Sequence, residues 1–330
     1  MEYWLPVIFA GLMALSMLVY VVLDGYDLGV GILLNGAGDR EKDLMIASIG
    51  PFWDANETWL VLGVGLLLVA FPMAHGEILT SLYLPVATML VGLILRGVAF
   101  DFRVKARDPH KPVWNQAFFA GSVLASFAQG YMLGYYITGF ETTLAAHGFA
   151  FLIGICLLAG YALLGATWLI MKSEGELQRK AVTWARYALW LTALGIAAVS
   201  IMTPLVSSRV VEKWFSFPQF ILLSQIPAVS AALVLISHFR LKKLAHNGVE
   251  GAWIPFAMAV ALFVLAFAGL GYSLFPYLII DRITIWDAAA ATESLSFILW
   301  GVVISLPAIL GYTVFAYRVF WGKTRELSYD

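Results

Sequence analysis

Six charged side chains stand within or at the ends of three long apolar stretches near the start of the chain: Asp24, Asp27, Asp54, Glu57, Arg96 and Asp101. An ionised side chain at the centre of a bilayer costs about 2.5–3.5 kcal/mol on insertion scales. One arginine cannot neutralise five acids, so most of these carboxyl groups are unpaired within the cluster unless some are protonated. Carboxyl groups that accept and release protons near neutral pH are what a proton-uptake path requires.

The spacing of the acids predicts how they are presented. Asp24 and Asp27 are three residues apart, as are Asp54 and Glu57, so each pair shares one face of a helix. Two structural interpretations stay open beside the functional one. Asp54 and Glu57 follow Pro51 and fit an Asp variant of a capping box, in which Asp54 caps a helix and Glu57 reaches back to it. Arg96 could serve only to neutralise a carboxylate so that both can be buried.

Composition places the chain among polytopic membrane proteins. Its 330 residues are 61% hydrophobic and 12% charged, with a mean hydropathy of +0.85, which excludes a soluble domain of this length. The single cysteine, Cys156, allows no intrachain disulfide and no thiolate metal site, and it is interpreted as a small buried apolar side chain. Nothing in the net charge of −1 suggests nucleic-acid binding.

The elements that must position the acids are nine apolar stretches, each long enough to cross about 30 Å of hydrocarbon as a helix. They are 5–34, 53–71, 78–100, 117–138, 148–171, 184–203, 218–238, 253–275 and 294–321. The predicted fold is therefore an all-α polytopic membrane protein, with residues 1–330 as one integral membrane domain, arranged as two helix bundles with one additional span. The first stretch carries acids and lacks a basic leader, so it is expected to be a retained span.

The basic residues predict the orientation. All twenty Lys and Arg residues except Arg209, Lys213 and Arg282 lie in or beside alternate connections, on one side of a nine-span arrangement. The positive-inside rule puts that side in the cytoplasm, with the N-terminus periplasmic and the C-terminus cytoplasmic. The six charged residues then converge on one cytoplasmic corner, because the first and third spans end there and the second span begins there.

Three motifs among these spans carry a family resemblance. They are LDGYDLGVG at Leu23–Gly31, GPFWDANETWL at Gly50–Leu60 and RGVAFDFR at Arg96–Arg103. In this order, on the first three spans, they resemble subunit II of cytochrome bd-type ubiquinol oxidases, and most of all its cyanide-insensitive branch. The rest of the chain resembles the family in length, hydropathy and nine-span topology.

The resemblance implies a role in a terminal respiratory oxidase of the bacterial inner membrane. A larger subunit I would hold haem b and haem d-type groups, oxidise quinol and reduce dioxygen to water. This chain would be the companion that stabilises subunit I and contributes a proton route from the cytoplasm. Acidic residues of the motifs line that route in the family, which nominates Asp24, Asp27 and Asp54, with Asp54 as the pivotal relay. Glu57, Arg96 and Asp101 are expected to be supporting neighbours.

Further components follow from the same resemblance. Members of the family can hold a quinone against this subunit, can include a small third subunit, and contact membrane lipid, but no motif here locates a quinone. The five histidines fall at span ends or in loops, so the haem ligands are expected in the partner.

Two GxxxG pairs, Gly25 with Gly29 and Gly130 with Gly134, favour close helix packing within the chain.

Two functions from other classes stand as alternatives to the oxidase subunit. An ion- or proton-coupled secondary transporter also places acids in broken helices, but its internal repeats generally carry corresponding interruptions in both halves. The Asp-Gly-Tyr-Asp motif has no second copy in this chain. A purely structural scaffold leaves the surplus carboxyl groups without a role.

Overall fold

The computed structural model describes residues 2–247 and 251–324 and is almost entirely helical. Its α-helices are α1 (Trp4–Leu33), α2 (Asp39–Ile49), α3 (Trp53–Ala70), α4 (Pro72–Ser81), α5 (Tyr83–Lys105), α6 (Lys111–Ile137), α7 (Leu144–Lys172), α8 (Gly175–Val206), α9 (Ser208–Phe215), α10 (Gln219–Asn247), α11 (Ile254–Leu274) and α12 (Thr292–Val319). Two short strands, β1 (Tyr277–Ile279) and β2 (Ile283–Thr284), pair antiparallel with Tyr277 opposite Thr284.

Eight of the described helices are long and apolar enough to cross a membrane: α1, α5, α6, α7, α8, α10, α11 and α12. The pair α2 and α3 passes the same test jointly, although it is bent by 51°. Pro51 lies in the short break between them, and proline supplies no backbone N–H to continue a helix. An all-helical membrane protein with eight to nine candidate spans is therefore confirmed.

The third predicted span begins and ends in the wrong place. The apolar run predicted a helix over 78–100, whereas the chain breaks at Leu82 between the short α4 and the spanning α5. At its other end α5 continues to Lys105, beyond the apolar run. Arg103 is buried there because it donates hydrogen bonds to Asp43 and to Asn115, at 2.8 and 2.5 Å. Hydropathy alone underestimates a helix whose charged turn is satisfied by neighbouring residues.

Helix α1 lies at the centre of the fold and packs against α3, α6 and α7. The approach of α1 to α7 is so close that a Cβ at Gly29 would overlap the backbone carbonyl of Tyr161. Gly134 of α6 meets α7 in the same way, since a Cβ there would lie 2.6 Å from the Ala150 Cα. Both predicted GxxxG pairs thus serve packing within the chain, as expected. Helix α12 is peripheral, with Leu295 its one buried residue.

A small cap covers the end of the bundle where α1 begins. It consists of α9, the β1–β2 hairpin and the segment that precedes α12. Asp281 of the hairpin accepts hydrogen bonds from the Ser207 hydroxyl and the Arg209 Nε, at 2.5 and 2.7 Å. Burial alone would raise the pKa of Asp281, but these two hydrogen bonds and the charge of Arg209 outweigh it and lower the pKa. The Asp281 carboxylate therefore links the hairpin to the junction of α8 and α9.

Candidate functional site

The centre of the site is a buried ion pair between α1 and α5. Asp24 and Arg96 are 0% and 1% exposed, and the Arg96 Nη1 donates to the Asp24 Oδ1 at 2.7 Å. Asp27, one helical turn beyond Asp24, is also 0% exposed. Trp53 of α3 covers the guanidinium, whose carbon lies 5.7 Å from the ring centroid. Arg96 does neutralise a carboxylate, as one interpretation of the sequence proposed, but it ion-pairs with only one of the two buried acids.

Asp27 is held by an uncharged group instead. The Asn56 amide of α3 donates from its Nδ2 to the Asp27 Oδ2 at 2.8 Å, and Asn56 itself is 1% exposed. The same Nδ2 donates to the Tyr26 hydroxyl at 2.8 Å. The Tyr317 hydroxyl of α12 donates to the Asn56 Oδ1 at 3.1 Å and lies 2.6 Å from the Tyr26 hydroxyl. Asp27 therefore lies at the edge of a small polar cluster drawn from α1, α3 and α12.

Several atoms of the buried acids and of Arg96 make no hydrogen bond to the described part of the protein. They are Asp24 Oδ2, Asp27 Oδ1, Arg96 Nε and Arg96 Nη2. Buried polar atoms without a protein partner are uncommon in folded proteins, and ordered water commonly satisfies them. The unsatisfied atoms belong to three neighbouring side chains, so the arrangement suits proton exchange.

The other three predicted residues do not enter this buried centre. Asp54 and Asp101 are exposed on the surface of the isolated chain, and Glu57 is half-buried. Asp54 lies within Coulombic range of Asp101 and Arg96. Glu57 is within electrostatic range of both Asp24 and Asp54, so it lies between the buried centre and the surface. Three of the six residues are therefore buried, Glu57 is half-buried, and Asp54 and Asp101 are exposed.

The capping-box interpretation of Asp54 and Glu57 is wrong. Helix α3 begins at Trp53 with Phe52 as its N-cap, and no side chain caps it. Asp54 is the second residue of the helix, where a negative charge is favoured by the helix dipole without being needed as a cap. The Asp54 carboxylate therefore remains available at the surface.

Sequence reasoning missed the polar residues that surround the acids. Asn56 lies inside one of the quoted motifs, and a polar amide in an apolar helix was the signal that could have found it. Tyr26 and Tyr317 gave no such signal, because tyrosines in spanning segments usually pack between helices. A second chain of hydrogen bonds was missed as well: Tyr161 donates to Gln129 at 2.6 Å, and Gln129 donates to Tyr20 at 2.7 Å.

The histidines and acids of the described residues do not form a metal centre. Within them, no three His, Cys, Asp or Glu side chains come together as ligands. His147 hydrogen-bonds through its Nδ1 to the Tyr131 hydroxyl at 2.7 Å, and His238 receives a hydrogen bond from Trp190 at 3.3 Å. His75 lies in the short α4 and His110 precedes α6, whereas the side chain of His246 lies outside the described residues.

Comparisons with known proteins cover nearly the whole chain. "Cytochrome bd-I ubiquinol oxidase subunit 2" of Escherichia coli K12 is 27% identical over 96% of this chain and 94% of its own length. "Cytochrome bd ubiquinol oxidase subunit 2" of Bacillus subtilis 168 is 26% identical, with 94% of each chain covered. The fold is similar to a chain of the bd oxidase structure from Geobacillus thermodenitrificans, with a TM-score of 0.77, 17% identity and coverage of 96% of this chain and 98% of that one.

A family model extends this agreement to residues 5–320, and it describes the cytochrome bd terminal oxidase subunit II family. The match includes all three motifs and the spanning helices that carry them. The chain therefore belongs to the cytochrome bd terminal oxidase subunit II family.

Proposed function

We propose that this chain stabilises a haem-bearing subunit I and supplies the cytoplasmic proton-uptake path with which the complex reduces dioxygen to water. The observation that carries the proposal is the buried Asp24, Asp27 and Arg96 cluster, which is linked through Glu57 to the exposed Asp54. A structural ion pair needs one acid for one arginine. The additional acids and the carboxyl oxygens without a protein partner support a role in proton transfer.

The proposed orientation has nine spans, a periplasmic N-terminus and a cytoplasmic C-terminus. Contacts between helix ends support it when α2 and α3 are counted as one span. At one end of the bundle, Trp286 before α12 donates to the Tyr3 carbonyl at the start of α1, at 3.1 Å. At the opposite end, Lys172 at the close of α7 donates to the Phe320 carbonyl beyond α12, at 2.7 Å. These contacts agree with an odd number of crossings, and the basic residues favour the second end as cytoplasmic.

Two exposed acids and the half-buried Glu57 support a docking face for subunit I. Asp54, Glu57 and Asp101 belong to spanning helices α3 and α5, and lipid tails cannot solvate carboxylates. The remainder of this face is apolar, with Val61, Ile94 and Val98 exposed. A protein partner with polar groups at the depth of the acids satisfies both parts of this surface. The face formed by α3 and α5 is therefore the proposed contact with subunit I, and Asp54 is the proposed exit of the proton path toward it.

The proposal assigns the cofactors to the complex. Haem b and haem d-type groups are held by subunit I, in keeping with the peripheral positions of the described histidines of this chain. A quinone held against this subunit and a small third subunit remain part of the proposal through the family alone. The bacterial inner membrane is the proposed location, because the relatives are bacterial oxidase subunits and the chain carries many apolar helices. The whole-length family match favours this function over a secondary transporter.

The test is a mild-detergent purification of the tagged chain, followed by an optical spectrum and quinol-driven oxygen uptake. The expected result is a haem-bearing partner, bd-type bands and oxygen consumption. A stable chain that is haem-free both after purification and in native membranes would refute the proposal. In the active complex, Asp54→Asn is expected to leave haem content unchanged and to lower oxygen uptake by about 100-fold, the lower range for a lost proton-transfer group.

A matched control uses Asp39, whose side chain is 93% exposed at the start of α2 on the same end of the bundle. Asp39→Asn removes a surface charge without touching the cluster, so oxygen uptake should stay at the wild-type rate. Equal activity of Asp54→Asn and wild type would show that Asp54 is not the relay.

A further inference from the structure

We propose that Asp27, and not Asp24, is the carboxyl group of the buried pair that takes up and releases a proton, and that Tyr26 and Tyr317 position it through Asn56. This inference rests on the proposed proton path and divides its residues into two roles. Asp24 keeps a fixed charge that anchors the site, and Asp27 carries the exchangeable proton at a defined oxygen.

Asp24 forms a buried ion pair with Arg96. The guanidinium stays protonated at any pH a protein experiences, and it lies 2.7 Å from the Asp24 Oδ1 with both side chains buried. One positive charge balances one carboxylate. Protonating Asp24 would leave the buried guanidinium uncompensated, which is among the costly changes inside a protein.

Asp27 has no cation of its own. Among the described residues, the hydrogen bond to its carboxyl group comes from the neutral Asn56 amide. The titratable and charged groups that face Asp27 from the surrounding elements are Asp24 and Tyr26 on α1, Glu57 on α3, Arg96 on α5 and Tyr317 on α12. Complete burial is the main effect that disfavours an ionised carboxylate at this position, and Asp24 and Glu57 disfavour it further. Arg96 acts in the opposite direction, but it is already paired with Asp24. A proton on Asp27 removes that conflict.

The hydroxyl groups determine which oxygen of Asp27 carries the proton. Tyr317 donates to the Asn56 Oδ1, so the short contact between the hydroxyls requires Tyr26 to donate to Tyr317. Asn56 closes this ring by donating one amide hydrogen to Tyr26, and its second amide hydrogen goes to the Asp27 Oδ2. Both hydroxyl hydrogens and both amide hydrogens are used in these hydrogen bonds, which prevents a 180° flip of the Asn56 amide.

With Oδ2 fixed as an acceptor, Oδ1 is the oxygen of Asp27 that has no hydrogen-bond partner in the described part of the chain. The proton therefore resides on Oδ1, from which it can pass to water or to the next carboxyl group. Tyr317 is a positioning residue in this arrangement, and it gives the peripheral α12 a role in the site.

The experiment is infrared difference spectroscopy of the purified oxidase complex during a pH titration, with haem content and oxygen uptake measured on the same samples. Asp27→Asn replaces a protonated acid by a neutral isostere. It should assemble with normal haem content, lose a carboxylic C=O band and lower oxygen uptake by about 100-fold. Asp24→Asn leaves the buried Arg96 without a counterion, so it should instead lower the yield of assembled, haem-loaded complex.

Tyr317→Phe tests the positioning role separately. It should retain haem, shift the frequency of the carboxylic band and slow oxygen uptake. Tyr312→Phe, a substitution on the same helix at a side chain that is 65% exposed, should leave the band and the rate unchanged. A band that does not move in Tyr317→Phe would overturn the positioning role.

The assignment of Asp27 has its own opposing outcomes. Persistence of the band in Asp27→Asn would overturn it, as would failed assembly of Asp27→Asn with normal assembly of Asp24→Asn. A wild-type complex without haem bands or oxygen uptake would refute the proposed function itself. An active wild type whose band survives in Asp27→Asn refutes only the assignment of the proton.

Discussion

Replacing Arg96 by leucine should destabilise the chain strongly, because it leaves Asp24 buried without a counterion. The two side chains are 1% and 0% exposed, so water cannot replace the lost charge. Breaking a buried ion pair on one side costs about 3–5 kcal/mol. An independent limit agrees with this value: neutralising a free aspartic side chain of pKa about 3.9 at pH 7 costs about 4 kcal/mol, at about 1.4 kcal/mol per pH unit.

The destabilisation caused by Arg96→Leu should depend on pH and on a second substitution. Because Asp24 can escape the penalty only by taking a proton, the cost of Arg96→Leu should fall by about 1.4 kcal/mol for each unit by which the pH is lowered toward 4. The double variant Arg96→Leu with Asp24→Asn carries no buried charge from this pair. It should therefore recover most of the lost stability.

The assay is denaturant or thermal unfolding of the purified protein in detergent, with the two single variants, the double variant and wild type compared as a cycle. Arg107, exposed beyond the end of α5, supplies the control, and Arg107→Leu should change the free energy of unfolding by less than about 0.5 kcal/mol. A loss below about 1 kcal/mol for Arg96→Leu, or a double variant no more stable than the single one, would refute the buried-charge argument.

Two further predictions concern the cap and the centre of the bundle. The pKa of Asp281 is lowered by the hydrogen bonds from Ser207 and Arg209, which outweigh the effect of burial, so its contribution to stability is complete above the pKa of a free aspartate. That contribution is lost as the pH falls through the lower pKa of Asp281 in the folded protein. Asp281→Asn should therefore destabilise the protein by no more than about 1 kcal/mol at neutral pH, and by less under acid conditions. Unfolding midpoints at the two pH values measure this difference. An equal loss of stability at neutral and acid pH would contradict this direction of the pH dependence. Gly29→Ala should force α1 away from α7, at a cost of about 1–3 kcal/mol or more, and should lower the yield of folded protein measured by size-exclusion chromatography. Gly65→Ala, where a Cβ meets no atom within 4 Å, should give the wild-type yield in the same measurement.

The helices follow from local properties of the sequence to a large extent. Most predicted spans coincide with helices, because an apolar run long enough to cross a bilayer has no other way to satisfy its backbone in lipid. The second predicted span, 53–71, corresponds to α3 at Trp53–Ala70. The prediction of the third span was wrong at both ends, because hydropathy does not report helix breaks or contacts with other elements. The chain breaks at Leu82 inside an apolar run, and α5 extends through Arg103 because residues from other elements satisfy its charge.

The residue types of the site were predictable from the sequence. Which of these residues are buried and which are exposed was not. Charged residues in apolar stretches identify Asp24, Asp27 and Arg96 from the sequence alone, since each is too costly to keep without a partner or a function. The spacing of Asp54 and Glu57 shows that they share a helix face. It does not show whether that face points into the bundle or outward, because the rotation of a helix depends on its packing.

What the sequence by itself determined is therefore the membrane class, the approximate spans, the family and the residues that could carry protons. Only the tertiary structure decided which acid pairs with Arg96 and which one accepts a hydrogen bond from Asn56. It also brought Tyr317 to the first helix across 291 residues of chain. The physical reason is that hydropathy and motif spacing are local properties, whereas ion pairs and hydrogen-bond rings depend on distances between side chains that only the packed helices bring together.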